Sequence, residues 1–288
     1  EHHADGSPCG GPNRSPKPHH STGLIPFFVL STLPGCQVER HSDGDRHVDR
    51  SGDFDLTGRD WALLGQACGV LGHQPPADVA VPGLVLEVAA GRSLEPVWMN
   101  ELGGLTIVEG TGGDRRYLKW SATGAGPDLA DEVERMRWLG PHSLVPEVVA
   151  LHDDAEGSVL VTLPLRGENA VSPRWSAEPA TAIQAIGVGL RSLHDRAPAA
   201  ECPFSWSVAD RIASAGARVA AGSTDPSMWH TEHSELNTME ALGILGEAPD
   251  VDRPVVCHGD VCAPNTIIDD DRRWSGHVDL GALGVADR

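Results

Sequence analysis

Apolar residues recur at two different spacings along this chain. Between positions 97 and 163 they form short runs: Val97-Trp98, Leu105-Thr106-Ile107-Val108, Arg116-Tyr117-Leu118-Lys119-Trp120, Pro146-Glu147-Val148-Val149 and Val159-Leu160-Val161-Thr162-Leu163. Gly103-Gly104 and the Gly-rich stretch 110 to 113 punctuate them. Such runs predict strands joined by tight turns. One predicted helix interrupts them. It is capped by Asp128 and ends at Gly140, with Leu129, Val133, Met136 and Leu139 on one face and charges on the other. After Gly167 the period lengthens. Ile183, Ile186, Leu190 and Leu193 repeat within Pro179 to Asp195, and residues 208 to 221 and 233 to 246 also read as helices. Finally, Ile267-Ile268 and Val278 flank the polar run Asp269-Asp270-Asp271-Arg272-Arg273, which predicts a β-hairpin. Strands with one helix, then helices, then a hairpin describe an α+β chain of two lobes with a cleft between them.

The first part of the chain lacks this order. Residues 1 to about 55 are rich in His, Pro, Gly, Ser, Asp and Arg without sustained periodicity, a composition that cannot bury enough apolar surface to order itself. Trp61, Leu64, Cys68 and Leu71 predict one short helix, and Gln74-Pro75-Pro76 reads as a linker. The expected organisation is therefore an extension over 1–76, a first lobe over 77–165 and a second over 166–288.

Composition narrows the partners. The formal net charge of -19 over 288 residues repels nucleic acid and anionic membranes, and it favours cations and cationic ligands. The cysteines at 9, 36, 68, 202, 257 and 262 form no CxxC pair, so a zinc site is not expected. Their scatter fits reduced thiols in the cytoplasm, with Cys257 and Cys262 read as small buried side chains. No run of about 18 apolar residues occurs, so no transmembrane helix is expected. The apolar segment 23 to 36 ends in Leu33-Pro34-Gly35-Cys36, loosely like a lipoprotein processing site, but it is short, holds two prolines and follows a long His- and Pro-rich leader, so a secretory signal is not expected.

The hairpin carries the strongest chemical signal. Asn265 and Asp279 lie at equal sequence distances from Arg272, so folding back makes them neighbours. An amide oxygen beside a carboxylate is a pair of hard ligands suited to Mg²⁺. Asp260 follows the apolar run Val255-Val256-Cys257 and projects from a loop toward the same spot. A base beside a Mg²⁺ site is the layout of a phosphoryl-transfer enzyme. Asp and Asn also favour turns on their own account; the order and spacing of all three point to chemistry. Lys119, on a strand after a Gly-rich stretch, is placed to reach nucleotide phosphates if a carboxylate on the next helix holds it. Glu132 and Glu134 are the two candidates, and only one can face the cleft.

Other positions take supporting readings. Asn100-Glu101-Leu102-Gly103-Gly104 reads as a turn over the phosphates, and no GxxxxGK[ST] occurs, which excludes a P-loop. Backbone groups of Thr162-Leu163-Pro164, ending the last strand of the first lobe, are placed to meet an adenine ring. His194 reads as structural, and His258 as a donor bracing the catalytic loop.

Together these residues resemble the aminoglycoside phosphotransferase family, most closely its 3′-type enzymes, which share a bilobal protein-kinase-like fold. The resemblance runs from about Val97 to Arg288. It is carried by Trp98 to Thr106, Tyr117-Leu118-Lys119-Trp120, the helix with Glu132 and Trp138-Leu139, Cys202-Pro203-Phe204, the HGDxxxxN motif from His258 to Asn265, and Gly276-His277-Val278-Asp279-Leu280-Gly281 leading to Gly284-Val285-Ala286-Asp287-Arg288. It implies Asp260 as the catalytic base, Asn265 and Asp279 on Mg²⁺, and Lys119 on ATP phosphates with Glu132 behind it. On the substrate side it points to Glu232, Asp287 and Arg288. ATP and Mg²⁺ are the implied cofactors, and the implied acceptor is a small hydroxylated molecule, cationic where it is an aminoglycoside.

Three departures stand out. Ala282 occupies the place, three residues after the metal Asp, where the family usually has Arg. Met228-Trp229-His230-Thr231-Glu232 holds one acid where the family's substrate loop is acid-rich. The sequence stops at Arg288 while the family continues with terminal helices, so an incomplete second lobe is expected. The expected activity is ATP-dependent phosphorylation of an aminoglycoside hydroxyl. The alternatives are a kinase of another sugar or amino alcohol, and an inactive nucleotide-binding remnant.

Overall fold

The computed structural model describes residues 72–100, 102–124, 128–222, 224, 226, 229, 233–245 and 253–287. The readings made for residues 1–71, including the short helix at Trp61 to Leu71, lie outside the described residues. Strands β1 (Gly72–His73), β2 (Leu94–Asn100), β3 (Leu105–Glu109), β4 (Arg116–Ala122), β5 (Val148–Asp153) and β6 (Gly157–Thr162) form one six-stranded sheet in the order β1-β2-β3-β4-β6-β5. Every neighbouring pair is antiparallel. Ile107, Leu118, Val159 and Val161 alternate onto one buried face and meet Leu84 and Val85.

Those two residues belong to α1 (Gly83–Ala89), a helix that the sequence reading did not foresee. Its seven residues, GLVLEVA, are too short and too β-branched for periodicity to separate helix from strand. Helix α2 (Leu129–Leu139) follows the expected pattern. The Asp128 carboxylate accepts the Ala130 N–H at 2.8 Å, satisfying an otherwise unpaired donor of the first turn. Leu129, Val133, Met136 and Leu139 then pack with Leu160, Leu193, Val256, Leu280 and Leu283 in the main core. Helix α2 therefore touches both the sheet and the segments that follow it.

The second half is mainly helical: α3 (Pro173–Ser176), α4 (Pro179–Arg196), α5 (Val208–Ala220) and α6 (Thr238–Leu245). Ser207 and Asp210 form a reciprocal capping box at the start of α5. The helix expected from residue 233 begins at Thr238, because the Asn237 side chain accepts the N–H groups of Met239 and Glu240, each at 3.0 Å, and sets the start there. Among the described residues no helix is long and apolar enough to cross a membrane.

Short strands precede and follow these helices: β7 (Glu168–Asn169) before them, and β8 (Pro254–Cys257), β9 (Thr266–Ile268), β10 (Trp274–His277) and β11 (Gly284–Asp287) after them. Strands β9 and β10 are the expected hairpin, with β7 on the far edge of β9, while β8 pairs with β11. The turn is held by Asp269, whose carboxylate accepts the N–H groups of Asp271 and Arg273, and Arg272 takes the left-handed φ of 62°. One correction concerns register. A bulge between Trp274 and Gly276 adds a residue to β10, so Thr266 faces His277 and the Val278 N–H donates to the Asn265 carbonyl. The symmetric pairing of Asn265 with Asp279 is offset by one, and Asp279 sits just beyond the ladder.

Candidate active site

The strand β4 side chain Lys119 organises the site. Its Nζ lies 2.7 Å from Glu132 Oε2 and 2.7 Å from Asp279 Oδ1. Three segments distant in sequence therefore meet at one ammonium. Burial disfavours the charged Lys, but the carboxylates of Asp279 and Glu132 outweigh it and raise its pKa. Glu132 is pushed up, chiefly by burial, with Lys119 opposing, and Asp279 is held down by the Lys119 charge. Between the two rival carboxylates the helix decides. Glu132 is buried with Leu129 and Val133, whereas Glu134 is exposed. Its spacing of three from Leu129 placed Glu132 on the apolar face all along.

Asp279 itself has φ 61°, a left-handed conformation uncommon outside glycine. The turn after it is closed by the Leu283 N–H donating to the Leu280 carbonyl at 3.0 Å. Leu280 and Leu283 are both fully buried and pin that turn into the core.

The loop after β8 brings Asp260 to the same place. His258 is buried, and burial lowers its pKa, so it is neutral near pH 7. Its Nδ1 accepts the Asp260 N–H at 3.3 Å, which leaves the proton on Nε2 to donate to the Val278 carbonyl at 3.0 Å. One imidazole thus ties the Asp260 loop to the strand end that carries Asp279. His277 is driven lower, to about 4, first by burial and then by His258. The Asn265 amide donates to the Asp260 carbonyl at 2.9 Å and reaches its Oδ2 at 3.4 Å. Burial and the nearby Asp279 charge raise the Asp260 pKa, with Lys119 opposing.

A close approach fixes the two loops together. Gly259 has φ 85°, and a Cβ there would overlap the Ala282 carbonyl and lie 2.7 Å from the Ala282 Cβ. Sequence patterns gave no sign of this contact. Gly259→Ala should therefore lower unfolding free energy by about 2–4 kcal/mol, from left-handed strain plus overpacking. Denaturant titration checks this; a wild-type midpoint would mean that the loops do not pack this way.

The oxygen atoms suit a small hard cation. With its NH₂ committed to Asp260, Asn265 turns Oδ1 to the other side, and Asp279 keeps Oδ2 beyond the one that Lys119 holds. Among the described residues no group of three or more His, Cys, Asp and Glu could hold a metal. An Asn–Asp oxygen pair of this kind fits Mg²⁺ shared with phosphates better than a full protein cage.

The remaining candidates fall as follows. In the turn after β2, Asn100 Oδ1 accepts the N–H groups of Leu102 and Gly104 at 3.0 and 2.8 Å, and its carbonyl accepts that of Gly103 at 3.1 Å. Those three donors are spent inside the turn. Thr162 ends β6, the Leu163 N–H donates to the Glu147 carbonyl, and Pro164 has no N–H. His194 lines a small recess with Arg191, Asp195, Arg253 and Val255. Burial pushes the Cys257 thiol up. Asp287 ends β11 opposite Pro254 and accepts the Arg253 N–H at 3.0 Å. Glu232 and Arg288 lie outside the described residues.

Comparison with known proteins gives the site a context. The model of the phosphotransferase enzyme family matches residues 106–288. An aminoglycoside 3′-phosphotransferase of Streptomyces fradiae is 32% identical over 164 residues, covering 56% of this chain and 61% of that protein. The chain thus spans about three fifths of that curated relative. A crystal structure of a type VIII aminoglycoside-3′-phosphotransferase is 32% identical with a TM-score of 0.60, covering 68% of this chain and 74% of the other. An aminoglycoside phosphotransferase of Streptomyces rimosus, solved with ADP and streptomycin, is 29% identical with a TM-score of 0.56, over 71% and 77% of the two chains. The mixed architecture described above is therefore the bilobal, kinase-like one that these structures share.

Proposed function

The chain belongs to the phosphotransferase enzyme family, and from that membership we propose that it transfers the γ-phosphoryl group of ATP to a hydroxyl of a small molecule in the cytoplasm, with aminoglycosides the first acceptor class. The observation that carries this reading is the Lys119 ammonium held at 2.7 Å by both Glu132 and Asp279, beside the Asp260–Asn265 loop. The ADP and streptomycin held by the Streptomyces rimosus neighbour support nucleotide and acceptor alike.

Each residue takes a distinct part. Asp260 accepts the proton of the attacking hydroxyl, and desolvation within its loop together with the Asp279 charge raises its pKa, which strengthens the carboxylate as a base. Asn265 orients that carboxylate with its amide. Asn265 and Asp279 are the residues that would hold Mg²⁺, which neutralises charge on the phosphates when bound. Lys119 meets the phosphates, and Glu132 keeps the ammonium aimed. Residues 77–165 form the nucleotide-binding lobe in this reading, with the carbonyls of Thr162 and Pro164 facing the base, and residues 166–288 carry the catalytic and acceptor side. Glu232, Asp287 and Arg288 are proposed on that acceptor side.

The direct test is ATP consumption by this chain against a panel of aminoglycosides and other hydroxylated metabolites. Turnover that depends on one acceptor class supports the reading; MgATP binding without transfer to any of them overturns it. Lys119→Ala should raise the KM for ATP by about 10- to 100-fold, the worth of a charged hydrogen bond, and move the acceptor KM much less. Glu132→Gln should give a milder form of the same defect and Glu134→Gln almost none. Steady-state kinetics in both substrates checks this. An effect confined to the acceptor would remove Lys119 from the phosphates.

A further inference from the structure

Helix α2 grips the turn after Asp279 at both ends, and one of the two grips belongs to a residue with no role so far. Glu132 Oε1 accepts the Leu280 N–H at 3.3 Å. One helical turn later, Arg135 Nε donates to the Leu283 carbonyl at 3.1 Å. Residues three apart on a helix share a face, so this spacing matches the length of the turn from Leu280 to Leu283. Arg135 is itself held in place. Its Nη1 donates to the Asp131 carbonyl at 3.0 Å, and its guanidinium stacks 4.9 Å from the Phe204 ring centre. The Phe204 carbonyl in turn accepts the Val285 N–H, two residues beyond the Arg135 contact.

We propose that Arg135 is a positioning residue for Asp279, acting through the Leu280–Leu283 turn rather than on the nucleotide. The inference rests on reading Asp279 as a metal ligand. The physical need is plain. Asp279 holds a left-handed backbone that an L side chain does not prefer, and such a conformation persists only where its surroundings fix it. The buried side chains of Leu280 and Leu283 fix the depth of the turn. They do not fix its rotation about the axis joining them. Two directional bonds to one rigid helix do, one at the N–H end and one at the carbonyl end. Losing the Arg135 bond removes the carbonyl-end grip and leaves the turn bonded to the helix only through Glu132. The Asp279 carboxylate then samples orientations in which its free oxygen no longer meets the Asn265 oxygen on one cation.

The test compares Mg²⁺ titrations of ATP binding for the full 288-residue chain and for Arg135→Met, Arg135→Lys and Asp279→Ala. Methionine keeps the apolar stem against Phe204 and removes every donor, while lysine restores one donor to the Leu283 carbonyl. For Arg135→Met, the Mg²⁺ concentration at half-saturation should rise about tenfold, the loss expected for one charge-assisted bond. Affinity for metal-free ATP should change less than about twofold, and Arg135→Lys should recover part of the loss. Unchanged half-saturation in Arg135→Met, alongside a clear loss in Asp279→Ala, would overturn the proposal. So would an equal loss of metal-free and metal-dependent binding, which would mark Arg135 as merely structural. If Asp279→Ala leaves the Mg²⁺ dependence intact, the metal-site reading itself fails.

Discussion

Asp260→Asn is expected to cut phosphoryl transfer by about 10²- to 10⁴-fold, the usual contribution of a general base, while leaving MgATP affinity nearly intact. The substitution is close to isosteric. The bond from the Asn265 amide to the backbone carbonyl of residue 260 does not involve the side chain, and neither does the bond from the residue 260 N–H to His258. The loop should therefore keep its shape, and only the proton acceptor is lost. Its surroundings also argue for this carboxylate: desolvation within the loop and the Asp279 charge both favour its protonated form, so it binds a proton more readily than an ordinary Asp. Single-turnover rates with saturating nucleotide measure the effect. A variant that keeps more than about a tenth of the wild-type rate would assign the base elsewhere.

Asp279→Ala should reduce Mg²⁺-dependent ATP affinity by about 100-fold or more, because it deletes the charged half of a two-oxygen site. Asn265→Ala should act in the same direction and less, since a neutral amide contributes less to a dication. Alanine is strained at the left-handed φ of residue 279, whereas asparagine tolerates it. Asp279→Asn is therefore the control that separates charge from shape, and it too should lose metal dependence. Calorimetry with MgATP decides. Unchanged affinity in both Asp279 variants would remove this residue from the metal site.

Much of this was readable in the sequence, and the reasons are local. Asp128 ahead of an amphipathic run marks the start of α2, because side-chain capping and apolar periodicity both act within a few residues. The polar turn between Ile267-Ile268 and Val278 marks the hairpin for the same reason. What escaped depends on contacts between distant segments. The hairpin turns about Asp271 rather than Arg272, and the bulge in β10 then recovers one residue of register, neither of which can be counted from sequence spacing. The overlap that forbids a side chain at Gly259 involves Ala282, 23 residues away. Glu109 is fully buried and ion-paired with both Arg92 and Arg116, an arrangement that no pattern in β3 announces. Arg135 read as one more charge on a solvent face, and only the fold reveals the carbonyl it serves. Helix α1 escapes for a different reason, since a seven-residue, mostly apolar run is too short for periodicity to separate helix from strand.

The double ion pair at Lys119 has a thermodynamic consequence. One cation answers two carboxylates, so the trio counted as ionised carries net negative charge, and Asp260 adjoins it. A nucleotide arriving without a cation adds more charge of the same sign. A divalent cation reverses that balance, and the two ligands then bind more favourably together than apart. Linkage makes this coupling reciprocal: whatever factor Mg²⁺ contributes to ATP affinity, ATP must contribute to Mg²⁺ affinity. Because it comes from a count of charges, the coupling belongs to the trio as a unit and not to any single contact within it.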